Sequence, residues 1–181
     1  EIKYDRLVST LPFPQLLDIC KLVYPDDVFS CNKVLVFNLG FDSKGNDKLN
    51  SWVYVPEKEF IFYRIGYYDN IMNTDRMSLY VEIGFSQKQE MLKEGLYLDR
   101  ILSDLRKMGI ITTQKLVDYE AVLMNPAYVH INKKSVETVE EYKEILEKND
   151  IYSIGRYGSW TYCSIEDNIL EARELAEKLN K

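Results

Sequence analysis

Apolar positions change period several times along the 181 residues, and each change marks an element. Tyr4 to Thr10 predicts a short strand ending in a turn. The prolines of Leu11-Pro12-Phe13-Pro14 then preset φ for a helix start. Gln15 to Val23 follows as a short helix with Leu16, Ile19, Cys20 and Val23 on one side. Lys33 to Phe41, KVLVFNLGF, is rich in β-branched and aromatic residues and predicts a strand. A polar turn with Gly45, Asp42 to Asn50, leads to a strand at Trp52 to Val55 that Pro56 stops. FIFYRIGYY, Phe60 to Tyr68, is strand-like and broken by Gly66; SLYVEIGF, Ser78 to Phe85, alternates apolar and polar as a strand does.

Gly95 to Met108 returns to helical spacing through Leu98, Ile101, Leu102, Leu105 and Met108, and Gly109 stands where a left-handed C-terminal cap belongs. Leu116 to Ile131 holds a strand on each side of Asn125-Pro126. Ser135 or Thr138 caps a helix running to about Lys148, with Val139, Tyr142 and Leu146 inward. Ile151 to Ile154 is a short strand, and the final helix starts after Ser164. Its stripe of Ile165, Ile169, Ala172, Ala176 and Leu179 predicts an inward-packing face. Strands dominate the middle and neighbour one another, with helices inserted between. The pattern predicts an α+β fold: a largely antiparallel mixed sheet with helices packed on one face.

Composition narrows the function more than the fold. A hydrophobic fraction of 46% and a charged fraction of 29% are ordinary for a soluble globular protein. The net charge of −6 arises from 23 basic and 29 acidic side chains without a basic stripe, which argues against a nucleic-acid partner. No apolar run approaches the roughly 18 residues of a membrane span, and no signal peptide is visible. Cys20, Cys31 and Cys163 lack the spacing of a metal or disulfide framework, so no metal site is expected and the setting is read as reducing and cytoplasmic. The 14 tyrosines suit either a semi-polar pocket or the open face of a sheet. A start at Glu1 rather than Met raises the expectation of a piece excised from something longer.

The chemistry concentrates in GRYGSWTYCSIEDNILEARELAEKL, Gly155 to Leu179. Ser164 and Asp167 form a capping-box variant, and the first-turn amides of Ile165, Glu166 and Asp167 lack intrahelical partners. With the helix dipole they suit negative charge, although Glu166 and Asp167 also complement that dipole themselves. Gly155 and Gly158 permit close backbone approach or positive φ, Arg156 offers a planar fork, and Tyr157, Trp160 and Tyr162 supply flat surfaces. Together these suit a large planar ligand with partial negative charge, such as the N1–C2=O edge of a reduced flavin.

GRYGSWTYCSIEDNI resembles the C-terminal flavin-contacting motif of the FAD-dependent amine oxidase and protoporphyrinogen oxidase-like superfamily, which includes UDP-galactopyranose mutase. Shorter segments agree in the same order: YDRLVSTLPFPQLL, WVYVPEKEFIFYRIGYY, SLYVEIGF and NPAYVHI. Ile165 replaces the usual Met and Ala172 the usual Gly, and no G-x-G-x-x-G follows any strand. The resemblance implies the substrate-domain and C-terminal portion of such an enzyme. Residues 1–11 would be a strand and crossover from the N-terminal FAD domain, 12–150 the substrate-binding domain, and 151–181 the flavin-contacting strand and helix.

It further implies FAD as cofactor of the full-length protein, contacted by Gly155, Arg156, Tyr157, Gly158, Trp160, Tyr162, Ile165, Glu166 and Asp167. FAD binding by the 181-residue chain alone is expected to be weak or absent. A small-molecule substrate would meet Arg64, Tyr54 and Tyr128. No catalytic residue is implied, because the cofactor carries the hydride chemistry. A sugar-nucleotide mutase, with Arg64 on a substrate phosphate, and a non-enzymatic binding module are the alternatives. Arg64 is read first as pairing with Glu82, Trp52 as core, His130 as structural and Cys163 as a buried thiol. Without the FAD domain, apolar surface on the last helix is expected to be exposed and to permit dimers.

Overall fold

The computed structural model describes residues 3–180. The chain folds as two compact units: one runs up to Cys31 and resumes at Tyr128, and the other is Asn32–Ala127. The sequence reading instead divides the chain at 11/12 and 150/151.

The first unit begins with β1 (Leu7–Ser9) and α1 (Phe13–Ile19). Pro12 and Pro14 flank the start of α1, where a missing amide proton costs nothing. The buried residues of α1 are Phe13, Leu16 and Leu17. Ile19 and Val23, expected inward, are 64% and 88% exposed: Ile19 turns away from the Phe13-Leu16-Leu17 face, and Val23 lies beyond the end of the helix.

The second unit carries β2 (Asn32–Phe41), β3 (Trp52–Tyr54), β4 (Arg64–Tyr67), α2 (Tyr68–Met72), β5 (Ser78–Ser86), α3 (Glu94–Lys107) and β6 (Leu116–Met124). Its five strands form an antiparallel sheet in the order β3-β4-β5-β2-β6. Alternation decides the faces. Phe37, Leu39, Ile65, Leu79, Val81 and Ile83 point to the side where α3 lays down Tyr97, Ile101 and Leu105, and all are buried. Gly109, at φ +71, ends that helix in the left-handed conformation. The opposite face carries Trp52, Tyr54, Arg64, Tyr80 and Glu82. Trp52 is 56% exposed, which corrects its assignment to the core: periodicity says which residues share a face, not which face is covered.

The first unit then resumes with α4 (Lys133–Glu147), β7 (Ile151–Ser153), α5 (Gly155–Gly158) and α6 (Ile165–Leu179). β7 pairs in parallel with β1. The strand expected after Asn125-Pro126 is reduced to one bridge, Cys31 with Val129. Asn132 caps α4, not Ser135 or Thr138; Ser135 is the N3 half of the same capping box, its Oγ accepting from the Asn132 amide. The core of this unit joins Phe13, Leu16, Leu17, Cys31, Val139, Leu146 and Trp160.

On α6 the packed face is not the predicted one. No residue of the helix is fully buried, and the half-buried stripe is Asn168, Glu171, Leu175 and Leu179. Ile165 and Ile169 lie outside it, 81% and 64% exposed. Among the described residues no helix is long and apolar enough to cross a membrane.

Candidate functional site

Residues 155–162 do not form an open glycine loop. β7 hands the chain through Ile154 directly into α5, a single turn with Gly155 at φ +84. Gly158 sits where a Cβ would approach Ser153 Oγ to 3.0 Å and the Ser9 carbonyl oxygen to 3.3 Å, so this end of α5 lies tight against β7 and β1. Ser153 Oγ donates to the Gly158 carbonyl at 2.8 Å. Both glycines thus answer to backbone geometry, one by positive φ and one by close approach.

The turn projects Arg156 onto aromatic faces. Its guanidinium carbon lies 4.5 Å from the Tyr162 ring centre and 5.3 Å from that of Tyr128. The two phenol rings are roughly parallel, 25° apart with centres separated by 6.4 Å. Cation–π attraction of about 0.5–2 kcal/mol per contact holds the side chain there. Arg156 Nε is shut off from solvent yet has no hydrogen-bond partner. Leaving a buried donor unsatisfied costs about 1–3 kcal/mol, and more on a cation.

The second donor set is the start of α6. Ser164 Oγ accepts from the Asp167 amide at 3.1 Å, and the Ser164 amide donates to Asp167 Oδ2 at 2.7 Å, closing the capping box. Those bonds, first from the Ser164 amide and then from its hydroxyl, hold the Asp167 carboxyl below its usual range. The amides of Ile165 and Glu166 keep their hydrogens for an outside acceptor. Cys163 is half-buried, and its thiol points to Asn168 Oδ1 at 3.6 Å.

Tyr157 is half-buried within α5. Trp160, expected against a ligand, is instead 4% exposed, packed edge-on to Phe29 at 5.3 Å in the core, which leaves no open ring face. Tyr162 is 69% exposed and is the available ring. Tyr128, grouped in the sequence reading with Arg64 and Tyr54, stands with Arg156. Sequence reasoning missed Asn168 and Glu171. Both sit on the inward stripe of a helix whose apolar residues point elsewhere, and that polar interruption is the signal that could have found them.

The other unit presents the open sheet face by itself. Arg64 and Glu82 are direct cross-strand partners and form an ion pair, with the Tyr63 hydroxyl donating to the second Glu82 oxygen. The pairing anticipated from the buried position of Arg64 is therefore present. Arg64 also lies 5.8 Å from the Tyr54 ring centre. Tyr80 lies flat over Gly66, where a Cβ would come within 1.8 Å of its ring, and meets Tyr68 at 5.0 Å. Burial pushes the Tyr80 phenol up, against the pull of Arg64. The face is thus a phenol carpet with its guanidinium already neutralised. His130 Nδ1 meets Ser30 Oγ at 3.0 Å, a structural contact in the first unit.

No family profile and no curated protein matches the chain. Solved structures do. Reduced UDP-galactopyranose mutase aligns over 89% of this chain at 23% identity and TM-score 0.72. A putative protoporphyrinogen oxidase from Exiguobacterium sp. 255-15 aligns over 97% at 13% identity and TM-score 0.73. A CLA-producing fatty acid isomerase from P. acnes aligns over 96% at 13% identity and TM-score 0.61. The likeness is one of fold: it bears out the α+β architecture, and two of the three neighbours are of the kinds that the motifs resemble. The chain spans 37%, 41% and 41% of those three proteins.

Proposed function

We propose that this chain is the C-terminal, substrate-binding part of an FAD-dependent oxidoreductase of the amine oxidase and protoporphyrinogen oxidase type, completed by an N-terminal dinucleotide-binding half. The observation that carries the reading is Arg156, its guanidinium against two phenol rings and its Nε buried and unsatisfied, together with the free first-turn amides of α6. The fold shared with an oxidase, a mutase and an isomerase supports it. The residues fit the ring end of a flavin: Arg156 and the Ile165 and Glu166 amides would face its electron-rich edge, and Tyr162 would offer a stacking face. Bound flavin supplies hydride acceptance.

The chain's own part is electrostatic and steric. Donors fixed before the ligand arrives stabilise negative charge without reorganising. The α6 dipole favours charge at its N-terminus. The phenol carpet around Tyr54, Tyr68 and Tyr80 would take a small-molecule substrate by stacking and hydroxyl hydrogen bonds. The sugar-nucleotide mutase reading gains from the 23% identity to such a mutase, but its candidate phosphate contact, Arg64, has its charge taken by Glu82.

In the full-length protein, Arg156→Ala should lower flavin content, read as visible absorbance per protein, with Arg156→Lys intermediate because it keeps charge but loses the planar fork. Flavin content unchanged by either substitution would sink the assignment.

A further inference from the structure

We propose that Asn168 and Glu171 are positioning residues: from α6 they hold α5, and thereby fix the Arg156 guanidinium relative to the free amides at the start of α6. The inference rests on the flavin reading for its purpose, but its geometry stands without a ligand.

α5 has four residues, and Ile154 before it has no side-chain oxygen to cap it. A turn this short has few bonds of its own to keep it wound, the Ser159 amide to the Gly155 carbonyl at 2.7 Å and the Thr161 amide to the Arg156 carbonyl at 3.0 Å. Its first two amides are satisfied from another helix. The Gly155 amide donates to Glu171 Oε2 at 2.7 Å, and the Arg156 amide donates to Asn168 Oδ1 at 3.0 Å. Glu171 also reaches the far end of the turn: Ser159, the C-cap of α5, donates from Oγ to Glu171 Oε1 at 2.7 Å. Lys143 of α4 backs the arrangement, donating to Ser159 Oγ at 2.7 Å with its ammonium 3.5 Å from Glu171 Oε1. One carboxylate therefore grips both ends of α5.

Asn168 does the coupling. While its Oδ1 accepts from Arg156, its Nδ2 donates to the carbonyl of Ser164 at 2.7 Å. Ser164 is the residue that starts α6. A single side chain thus ties the backbone of the cation to the backbone of the helix terminus. Gly155 is crowded for the same reason: a Cβ there would sit 3.4 Å from Asn168 Oδ1, at a φ that side chains avoid.

The test is NMR on the 15N,13C-labelled full chain. In Glu171→Ala, exchange of the Gly155 amide should quicken roughly ten- to a hundredfold, the worth of a charge-assisted hydrogen bond. In Asn168→Ala, the Arg156 amide should respond similarly. In both, the upfield ring-current shifts of the Arg156 Cδ protons and Nε–H should collapse towards those of an unstructured arginine. Glu171→Gln keeps an acceptor for the Gly155 amide and should restore those shifts, whereas Asn168→Asp keeps the acceptor for the Arg156 amide but loses the donor to the Ser164 carbonyl and should not. Arg156 side-chain signals that stay in place when the amides are freed would mean the rings alone hold it, and the proposal falls. If the alanine variants fail to fold, displaced Arg156 shifts in the folded Glu171→Gln variant overturn it instead. Flavin content of the full-length Arg156→Ala protein separates the two claims: unchanged content denies the ligand reading, while the variant shifts still support the positioning role.

Discussion

Glu82→Gln is the substitution with the most calculable effect. Glu82 is 4% exposed, and the side chain of Arg64 opposite it is 23% exposed. The native carboxylate uses one oxygen for Arg64 and the other for the Tyr63 hydroxyl. An amide of the same shape has one acceptor, so it serves one partner and turns an NH2 towards the other. Breaking a fully buried ion pair costs about 3–5 kcal/mol. Solvent reaches Arg64 and relieves part of that, leaving a loss of about 2–3 kcal/mol. With a urea slope of about 2 kcal/mol/M for a domain of this size, the unfolding midpoint should fall by about 1–1.5 M. The double variant Arg64→Met with Glu82→Leu should recover most of the loss, because apolar residues of similar volume carry no desolvation debt. A Glu82→Gln midpoint within 0.25 M of wild type (roughly 0.5 kcal/mol at that slope) would refute the account of this pair.

Other outcomes are equally direct. Ile169→Lys should leave stability within about 0.5 kcal/mol, as for any open surface position, whereas a loss comparable to a core truncation in chemical denaturation would return that residue to the inward face. Asn132→Ala should cost about 1 kcal/mol through the α4 capping box, with Thr138→Ala not reproducing the capping loss. Burial, with Asp47 and Asp69 adding, raises Tyr67 to about 12 from 10.0. Its folded state holds the proton more tightly than the unfolded chain does, so its contribution is complete below pH 10 and lost as pH rises through about 12. Tyrosinate absorbance that shows every phenol titrating near 10 would exclude that burial.

The sheet was legible because one covered face imposes a clean period of two on β2 and β5, and α3 because Ile101 and Leu105 recur at helical spacing. α6 misled for a physical reason. Hydropathy finds the face that would gain most from leaving water, but the face that packs carries Asn168 and Glu171, whose polar atoms are met by the amides of α5. Hydrogen bonding decided the orientation, and no apolar period records it. Trp160 misled differently. A ring beside glycines reads the same whether it serves a ligand or a core, and only the arrival of Phe29 and α1 from the distant N-terminal segment decides. Tyr128 joined Arg156 through the same long-range closure.

The order of the two units along the chain has a consequence for assembly. Every strand of the second unit lies between Asn32 and Met124, and its ends are clasped by the Ala127 amide donating to the Asn32 carbonyl at 2.9 Å. β1, by contrast, waits for β7 at Ile151–Ser153. During synthesis the inserted sheet is therefore complete while the first unit is still half made. Once folded, it turns a very long loop into a short span between two neighbouring anchor points, which lowers the entropy lost when β1 and β7 meet. The insert thus acts as a splint for the unit whose sequence flanks it.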